Sequence, residues 1–128
     1  MTKTLLLIFI GGGIGSCVRY IIATKINQFN SYIPFGTLAA NILSCFVAGF
    51  ISCLLLHYLP LKRIDERFKL FFITGFCGGF STFSSFALEN IGLIRSESFV
   101  NSLIYMMLSL LLCHLAILLG FVIAKNLV

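Results

Sequence analysis

Side chains able to bind an ion recur at helical spacing within apolar segments of this sequence. Tyr105, Ser109 and Cys113 are each four residues apart, so a helix would place two hydroxyls and a thiol on one stripe. Phe83 and Phe86 are three residues apart and would share a helix face. Hydroxyls donate hydrogen bonds, and the rim of an aromatic ring is electropositive, so this set suits a small anion. Other polar residues in apolar segments are Arg19, Asn41, Ser81, Thr82, Ser84, Ser85, Glu89 and His114.

Catalytic arrangements are absent from this set. No acid–base pair, no nucleophile beside a base and no metal-ligand spacing occurs, so an enzyme is not expected. His57 lies near a predicted helix end and His114 stands alone, and both are interpreted as structural or interfacial. Asn41 adds an amide that can donate to an anion or join two helices, and serines can bond their own helix. The residues alone leave two interpretations open, an anion pore and a polar helix bundle.

The stretch 74–86, TGFCGGFSTFSSF, combines three glycines with five hydroxyls. Gly75, Gly78 and Gly79 predict a helix broken within the membrane, which is tolerated only where the backbone is buried in protein or lines water. Carbonyl groups freed at the break could bind a cation, and the new half-helix would begin with a positive N-terminus. The alternative is that the glycines only permit close helix packing.

The composition places these residues in a membrane. Of 128 residues, 59% are hydrophobic and 10% are charged, against about 25% charged in soluble domains. Apolar segments near 4–24, 36–59, 69–93 and 99–125 approach or exceed the roughly 20 residues that cross a bilayer. The sequence predicts an all-α membrane protein, a single transmembrane domain over 1–128 with four transmembrane helices. We expect a multi-pass protein of the plasma or inner membrane.

The first apolar segment has two other interpretations, and both are rejected. It lacks the cleavage site of a signal peptide. It also lacks the full glycine motif of a dinucleotide-binding turn, and no acidic residue precedes Asp65. Gly11 and Gly15 instead form a G-x-x-x-G pair that lets helices approach closely. Scattered cysteines in apolar segments predict neither a disulfide nor a metal site; they are Cys17, Cys45, Cys53, Cys77 and Cys113.

The distribution of Lys and Arg indicates an orientation. Four crossings put both termini and the second loop on one side, with six basic residues against three on the other side. This excess favours cytoplasmic termini. The six are Lys3, Lys62, Arg63, Arg67, Lys69 and Lys125, and the three are Arg19, Lys25 and Arg95.

Three segments, GGGIGSCVRY, PFGTLAANILSCFVAGF and GFCGGFSTFSSFALE, follow one another along nearly the whole chain. Together they resemble the Fluc (CrcB) family of fluoride-specific ion channels, and the third follows the family motif G-F-x-G-G-x-T-T-F-S-T-F closely. The resemblance implies an antiparallel, dual-topology homodimer of four-helix subunits in which the third helix is broken. It also implies two fluoride pores and a structural sodium ion at the dimer interface.

Residue roles follow from the same resemblance. Phe83 and Phe86 match the pair whose ring edges contact fluoride, and Asn41 matches the pore amide. Gly78 and Ser81 match positions whose backbone carbonyls hold the sodium ion. The remaining pore positions are Ser84, Ser85, Tyr105, Ser109 and Cys113, and the charged vestibule positions are Arg19 and Glu89.

Three residues depart from the family pattern. Ser81 replaces a threonine, which leaves its carbonyl unchanged, and Cys113 replaces a hydroxyl, which weakens the polar stripe. Phe80 adds a ring between the second glycine and Ser81. The balance of six basic residues against three is also not flat, whereas a chain that inserts in both orientations needs a flat balance. A heterodimer with a related subunit is therefore an alternative to the homodimer.

The function implied is passive, selective fluoride efflux that gives resistance to fluoride toxicity. HF crosses the bilayer and ionises inside, and the negative interior favours anion exit, so no energy source is needed. A small multidrug-type transporter would need a carboxylate in the first helix, which has none. A membrane assembly subunit would use the polar residues only as helix contacts. Membrane lipid surrounds the protein, and no nucleic acid is expected as a partner.

Overall fold

The computed structural model describes residues 1–28, 33–58 and 66–128, and every regular element in these ranges is a helix. The first two spans are continuous, α1 (Thr2–Asn27) and α2 (Phe35–Tyr58). The third span, Glu66–Arg95, consists of α3 (Glu66–Lys69), a π-helix (Leu70–Cys77), α4 (Gly78–Phe80) and α5 (Phe83–Arg95). The last span is the continuous helix α6 (Phe99–Lys125).

All four spans are long and apolar enough to cross a membrane, which confirms the predicted all-α architecture of four transmembrane helices. The expected end of the second span at position 59 lies outside the described residues. Lys62, Arg63 and Asp65 of the second loop also lie outside them. The orientation inferred from the basic residues therefore stays a prediction.

Helix α1 packs against the first half of the third span through backbone contacts at glycines. A Cβ atom added to Gly15 would overlap the carbonyl oxygen of Phe76, and one added to Gly11 would overlap the carbonyl oxygen of Phe71. Gly79 meets the backbone of Gly12 in the same way. The predicted close approach at the G-x-x-x-G pair is confirmed, because these contacts leave no room for side chains.

The third span is interrupted just after its glycines. In the π-helix, the Gly78 N–H donates to the Ile73 carbonyl, five residues earlier. Ser81 (φ −81°, ψ 156°) and Thr82 (φ −149°, ψ 114°) are extended. Helix α5 then begins with the Thr82 hydroxyl accepting from the Ser85 N–H. The helix is broken as predicted, but the glycines themselves are helical, and two of them, Gly75 and Gly79, pack closely against the backbone of α1.

Side chains of α1 and α4 hold the chain in place immediately before the break. The Arg19 Nε donates to the Gly79 carbonyl at 3.1 Å, and the Ser16 hydroxyl donates to the same oxygen at 3.4 Å. Phe80 is 4% exposed, and its ring centroid lies 5.5 Å from that of Phe76. The additional ring at position 80 therefore packs in the interior and does not line a path.

The most extensive helix contact joins α2 and α6. A Cβ atom added to Gly120 would overlap the carbonyl oxygen of Phe46. Leu38 packs with Tyr105, which is completely buried, nearer the start of both helices. Residue numbers rise together along the two helices, so α2 and α6 cross in the same direction. Their facing sides form one wall beside the break in the third span.

Candidate functional site

Asn41 on α2 bridges the break in the third span. The Thr82 N–H donates to Asn41 Oδ1 at 2.7 Å, and Asn41 Nδ2 donates to the Thr82 carbonyl at 3.3 Å. One side-chain amide therefore pairs with both the backbone N–H and the backbone carbonyl of an extended residue, which would otherwise be unpaired within an apolar span. The sequence left two roles open for Asn41, joining two helices or donating to an anion. In the structure it joins two helices.

The break leaves two backbone carbonyls without their helical hydrogen bonds. In a continuous helix the Thr82 N–H would bond the Gly78 carbonyl, but it is directed to Asn41 instead. The Ser85 N–H would bond the Ser81 carbonyl, but it donates to the Thr82 hydroxyl at 3.2 Å. The carbonyl groups of Gly78 and Ser81, the two predicted cation ligands, thus both lack their helical partners. Oxygen atoms of this kind are suitable ligands for a hard cation.

A cavity of about 210 Å³ lies between this break and α6. The ring centroids of Phe83 and Phe86 are 5.6 Å apart at its edge, and Phe83 is 78% exposed. The cavity contains five of the predicted pore residues, together with Ser81. Its lining is Asn41, Cys45, Ser81, Thr82, Phe83, Phe86, Ser109, Leu110, Cys113 and His114.

Ser109 lines this cavity and has a hydroxyl without a protein partner. The residue is 7% exposed, and among the described residues its Oγ is the buried side-chain polar atom without a hydrogen bond. Buried hydroxyls are almost always paired, since leaving one unpaired costs about 1–3 kcal/mol. A buried hydroxyl without a partner, on a residue that lines a cavity, is a candidate donor to a ligand there.

The polar stripe on α6 divides into two environments. Ser109 and Cys113 line the cavity, whereas Tyr105 is buried and its hydroxyl donates to Glu89 at 2.7 Å. The Thr37 hydroxyl donates to the other oxygen of Glu89 at 2.6 Å. Each carboxylate oxygen thus receives a charge-assisted hydrogen bond from a neighbouring helix.

The predicted hydroxyls of Ser84 and Ser85 lie beside the cavity but are not part of its lining. The Thr82 hydroxyl donates to the Ser85 hydroxyl at 3.1 Å and lies 3.2 Å from that of Ser84. These three hydroxyls form a small cluster at the start of α5. Their contacts shape the first turn of this half-helix, whose N-terminus carries partial positive charge.

Sequence reasoning missed Thr37 and Cys45 as members of this region. Each lies four residues from Asn41 on α2, so the helical repeat already places all three on one face. Thr82 was noted as polar but was given no role, although its backbone and hydroxyl organise the break. Extending the helical spacing in both directions from Asn41 would have identified the two α2 residues.

Replacing Asn41 by leucine is expected to destabilise the folded protein. The change leaves the Thr82 N–H and carbonyl without partners, which should cost about 1–3 kcal/mol in the free energy of unfolding. Equilibrium unfolding of the purified protein in mixed micelles measures this. Leu43→Ala on the same helix, at a 45% exposed position, is the matched control and should change stability much less. Equal effects of the two variants would contradict the bridging role.

Comparison with known proteins gives a consistent result. Residues 6–121 match the family described as CrcB-like protein, Camphor Resistance (CrcB). A fluoride-specific ion channel FluC of Azobacteroides pseudotrichonymphae is 40% identical over 128 residues, covering 98% of both chains. Proteins of the same name are 43% identical in Serratia proteamaculans, over 86% of this chain and 84% of the relative, and 36% identical in Helicobacter pylori, over 93% and 91%.

Proposed function

Because the chain belongs to the CrcB family, we propose that it is a fluoride-selective ion channel that gives passive fluoride efflux and resistance to fluoride toxicity. It is a multi-pass membrane protein, and its relatives are ion channels rather than enzymes. The observation that carries the proposal is the buried hydroxyl of Ser109, which lacks a protein partner and belongs to a residue that lines a cavity edged by phenylalanine rings. A small anion that accepts hydrogen bonds would satisfy it.

Several groups around the cavity could supply positive electrostatic potential, although no Lys or Arg lines it. Phe83 and Phe86 can present ring edges, which carry the positive part of the aromatic quadrupole. Ser109 supplies a donor, and α5 begins at the cavity, so its N-terminal partial charge faces the same space. Replacing the water around fluoride by such fixed donors is how a filter compensates for dehydration.

The other predicted residues are assigned to the same route. Glu89 would repel an anion, but its oxygens already accept from Thr37 and Tyr105, which reduces that repulsion. We propose that fluoride passes from this region to the cavity, and that Arg19 attracts anions towards the entrance. The proposed pore residues are Asn41, Phe83, Ser84, Ser85, Phe86, Tyr105, Ser109 and Cys113.

We further propose that the functional unit is an antiparallel homodimer with a structural sodium ion at its centre. Phe83 is 78% exposed beside the cavity, so a second subunit would complete the wall around it. The carbonyls of Gly78 and Ser81 fit sodium, since neither receives its helical hydrogen bond. A bound sodium ion would add fixed positive charge and link the subunits. Pairing with a related subunit is the alternative, supported by the uneven distribution of basic residues.

Transport in this scheme needs no coupling site. Fluoride that accumulates as ionised HF leaves down its electrochemical gradient, because the membrane potential supplies about 2.3 kcal/mol per charge per 100 mV. The membrane is expected to be the plasma or inner membrane, where this potential acts. A fixed pore is sufficient for such downhill movement.

Release of fluoride from liposomes that contain only this protein tests the proposal. Fast release of fluoride, without release from matched liposomes loaded with chloride, is the expected result. Release of neither anion would contradict a self-sufficient channel, and adding a related subunit would then test the heterodimer. Equal release of both anions would contradict the proposed selectivity.

Replacing Ser109 by alanine is expected to slow fluoride release by roughly 10- to 150-fold, since a hydrogen bond to a charged group contributes about 1.5–3 kcal/mol. The variant should fold normally, because the hydroxyl has no protein partner to lose. Liposome flux at matched protein density measures the effect. Ser109→Thr, which keeps a hydroxyl, should retain more flux than the alanine variant. If Ser109→Ala releases fluoride at the wild-type rate, the Ser109 hydroxyl does not contribute to the fluoride route.

A further inference from the structure

We propose that Cys45 and Cys113 form a two-thiol site for a soft, thiophilic metal cation in the wall of the cavity. Both residues line the cavity, both are partly exposed, and neither is in a disulfide. Cys45 and Cys113 lie one turn before Gly49 and Ile117, whose backbones are in contact between α2 and α6, so the two cysteines lie at the same level of this helix pair. By contrast, Cys53 and Cys77 are buried, and Cys17 is exposed on α1 away from this lining. The pair therefore combines proximity with access.

Helix packing holds the two thiols together. Cys45 lies one turn beyond Asn41 on α2, and Cys113 lies one turn beyond Ser109 on α6, so each continues a face that lines the cavity. One turn beyond Cys45, a Cβ atom on Gly49 would overlap a carbonyl oxygen of α6. This backbone contact fixes the helix separation next to the thiols. The site is thus built into the rigid α2–α6 wall.

The number of ligands selects the kind of ion. Across the ranges that the structure describes, no group of three or more His, Cys, Asp or Glu residues could hold a metal, so a four-coordinate zinc site is not formed. Thiolates are soft ligands that favour soft ions such as Cu⁺. Cu⁺, Ag⁺ and Hg²⁺ all accept two sulfur ligands. His114 also lines the cavity, with its Nδ1 2.6 Å from the Leu110 carbonyl oxygen, but within the described ranges it does not form a three-residue metal-binding group with the two cysteines.

Binding exchanges two S–H bonds for two metal–sulfur bonds. When Hg²⁺ is the ion, it joins both sulfur atoms and both protons leave to water, so neither an oxidant nor a reductant is needed. The ion would then sit one helical turn from Asn41 and Ser109. Bound mercury is expected to block fluoride release only if fluoride passes through the cavity, so this consequence rests on the proposed function. The binding itself does not.

A competition experiment with Hg²⁺ tests the site in the full-length protein. Detergent-solubilised protein is treated with one equivalent of Hg²⁺ and washed with glutathione, a competitor that removes mercury bound to a single thiol. The expected result is that wild type retains mercury through the wash, as measured by intact mass. Cys45→Ser and Cys113→Ser should lose it, and Cys17→Ser should retain it. Retention in Cys45→Ser, or loss in wild type, would overturn the proposal.

Fluoride release from liposomes provides the second measurement. Hg²⁺ should stop release by wild type and by Cys17→Ser, a dithiol chelator should restore it, and Cys45→Ser should be insensitive. Mercury retention with unaffected release would overturn the placement of the site on the fluoride route. Mercury retention by a wild-type protein that releases no fluoride at all would support the site and contradict the proposed function. The two failures are therefore distinguishable.

Discussion

Replacing Phe83 and Phe86 together by isoleucine is expected to slow fluoride release strongly while the protein still folds. Isoleucine is apolar but has no quadrupole, so the variant lacks the two electropositive ring edges that are proposed to contact fluoride. If each edge contributes about 1–1.5 kcal/mol, release should slow by roughly 100-fold. Phe83 is 78% exposed, so the loss of its ring removes little packing from the subunit. Fluoride release from liposomes at matched protein density measures the change.

The control for this variant is Phe9→Ile on α1, where a 75% exposed ring lies outside the cavity lining. It should release fluoride at the wild-type rate. The single variants Phe83→Ile and Phe86→Ile separate the two rings, whose centroids are 5.6 Å apart. Wild-type release by the double variant would contradict the assigned roles of both rings. Loss of the folded protein, seen by gel filtration, would instead show that the rings are structural.

Gly15→Ala is expected to prevent stable folding, whereas Gly13→Ala on the same helix should be tolerated. A Cβ atom at Gly15 would overlap the Phe76 carbonyl oxygen, and backbone atoms cannot move aside as a side chain can. Overpacking of this kind costs about 1–3 kcal/mol and occasionally more. At Gly13 no atom lies within 4 Å of the added Cβ. Alanine there should stabilise the helix by roughly 0.5–1 kcal/mol.

The yield of folded protein and its unfolding midpoint in detergent test this pair of variants. The two changes are chemically identical and lie half a turn apart on α1, so membrane insertion should be affected equally. A difference between them therefore reports contact with the third span. If both variants unfold at the wild-type midpoint, α1 does not pack against the third span as closely as the structure has it.

Hydropathy was sufficient to predict four spans, because a helix must satisfy its own backbone groups wherever it crosses lipid. Spacing alone could not locate the break in the third span. Gly75, Gly78 and Gly79 were candidates for it, yet all three are helical and adjoin other backbone atoms or the surface. The break occurs at Ser81 and Thr82, where Asn41 from another helix supplies the alternative partner. The position of the break therefore depends on a contact between two residues that are distant in the sequence.

The candidate site was predictable as a set of residues but not as a network of contacts. Periodicity placed Tyr105, Ser109 and Cys113 on one stripe, but it could not show which of their polar groups already had partners. Tyr105 donates to Glu89, whereas the Ser109 hydroxyl is left for a ligand. That distinction depends on Glu89 being close to α6, and sequence spacing does not contain such distances. The roles implied by family resemblance remain to be tested by the variants above.

The π-helix Leu70–Cys77 has a consequence for how the chain can change its length. A π turn holds more residues than an α turn, so the segment carries a local surplus of chain. Deleting one residue within it would let the segment wind as an α-helix, with Ser81 and Thr82 still facing Asn41. A one-residue deletion in α2 has no such surplus to absorb it and would rotate every later side chain by about 100°. The third span is therefore the span in which the loss of one residue could leave the contact between the break and Asn41 in place.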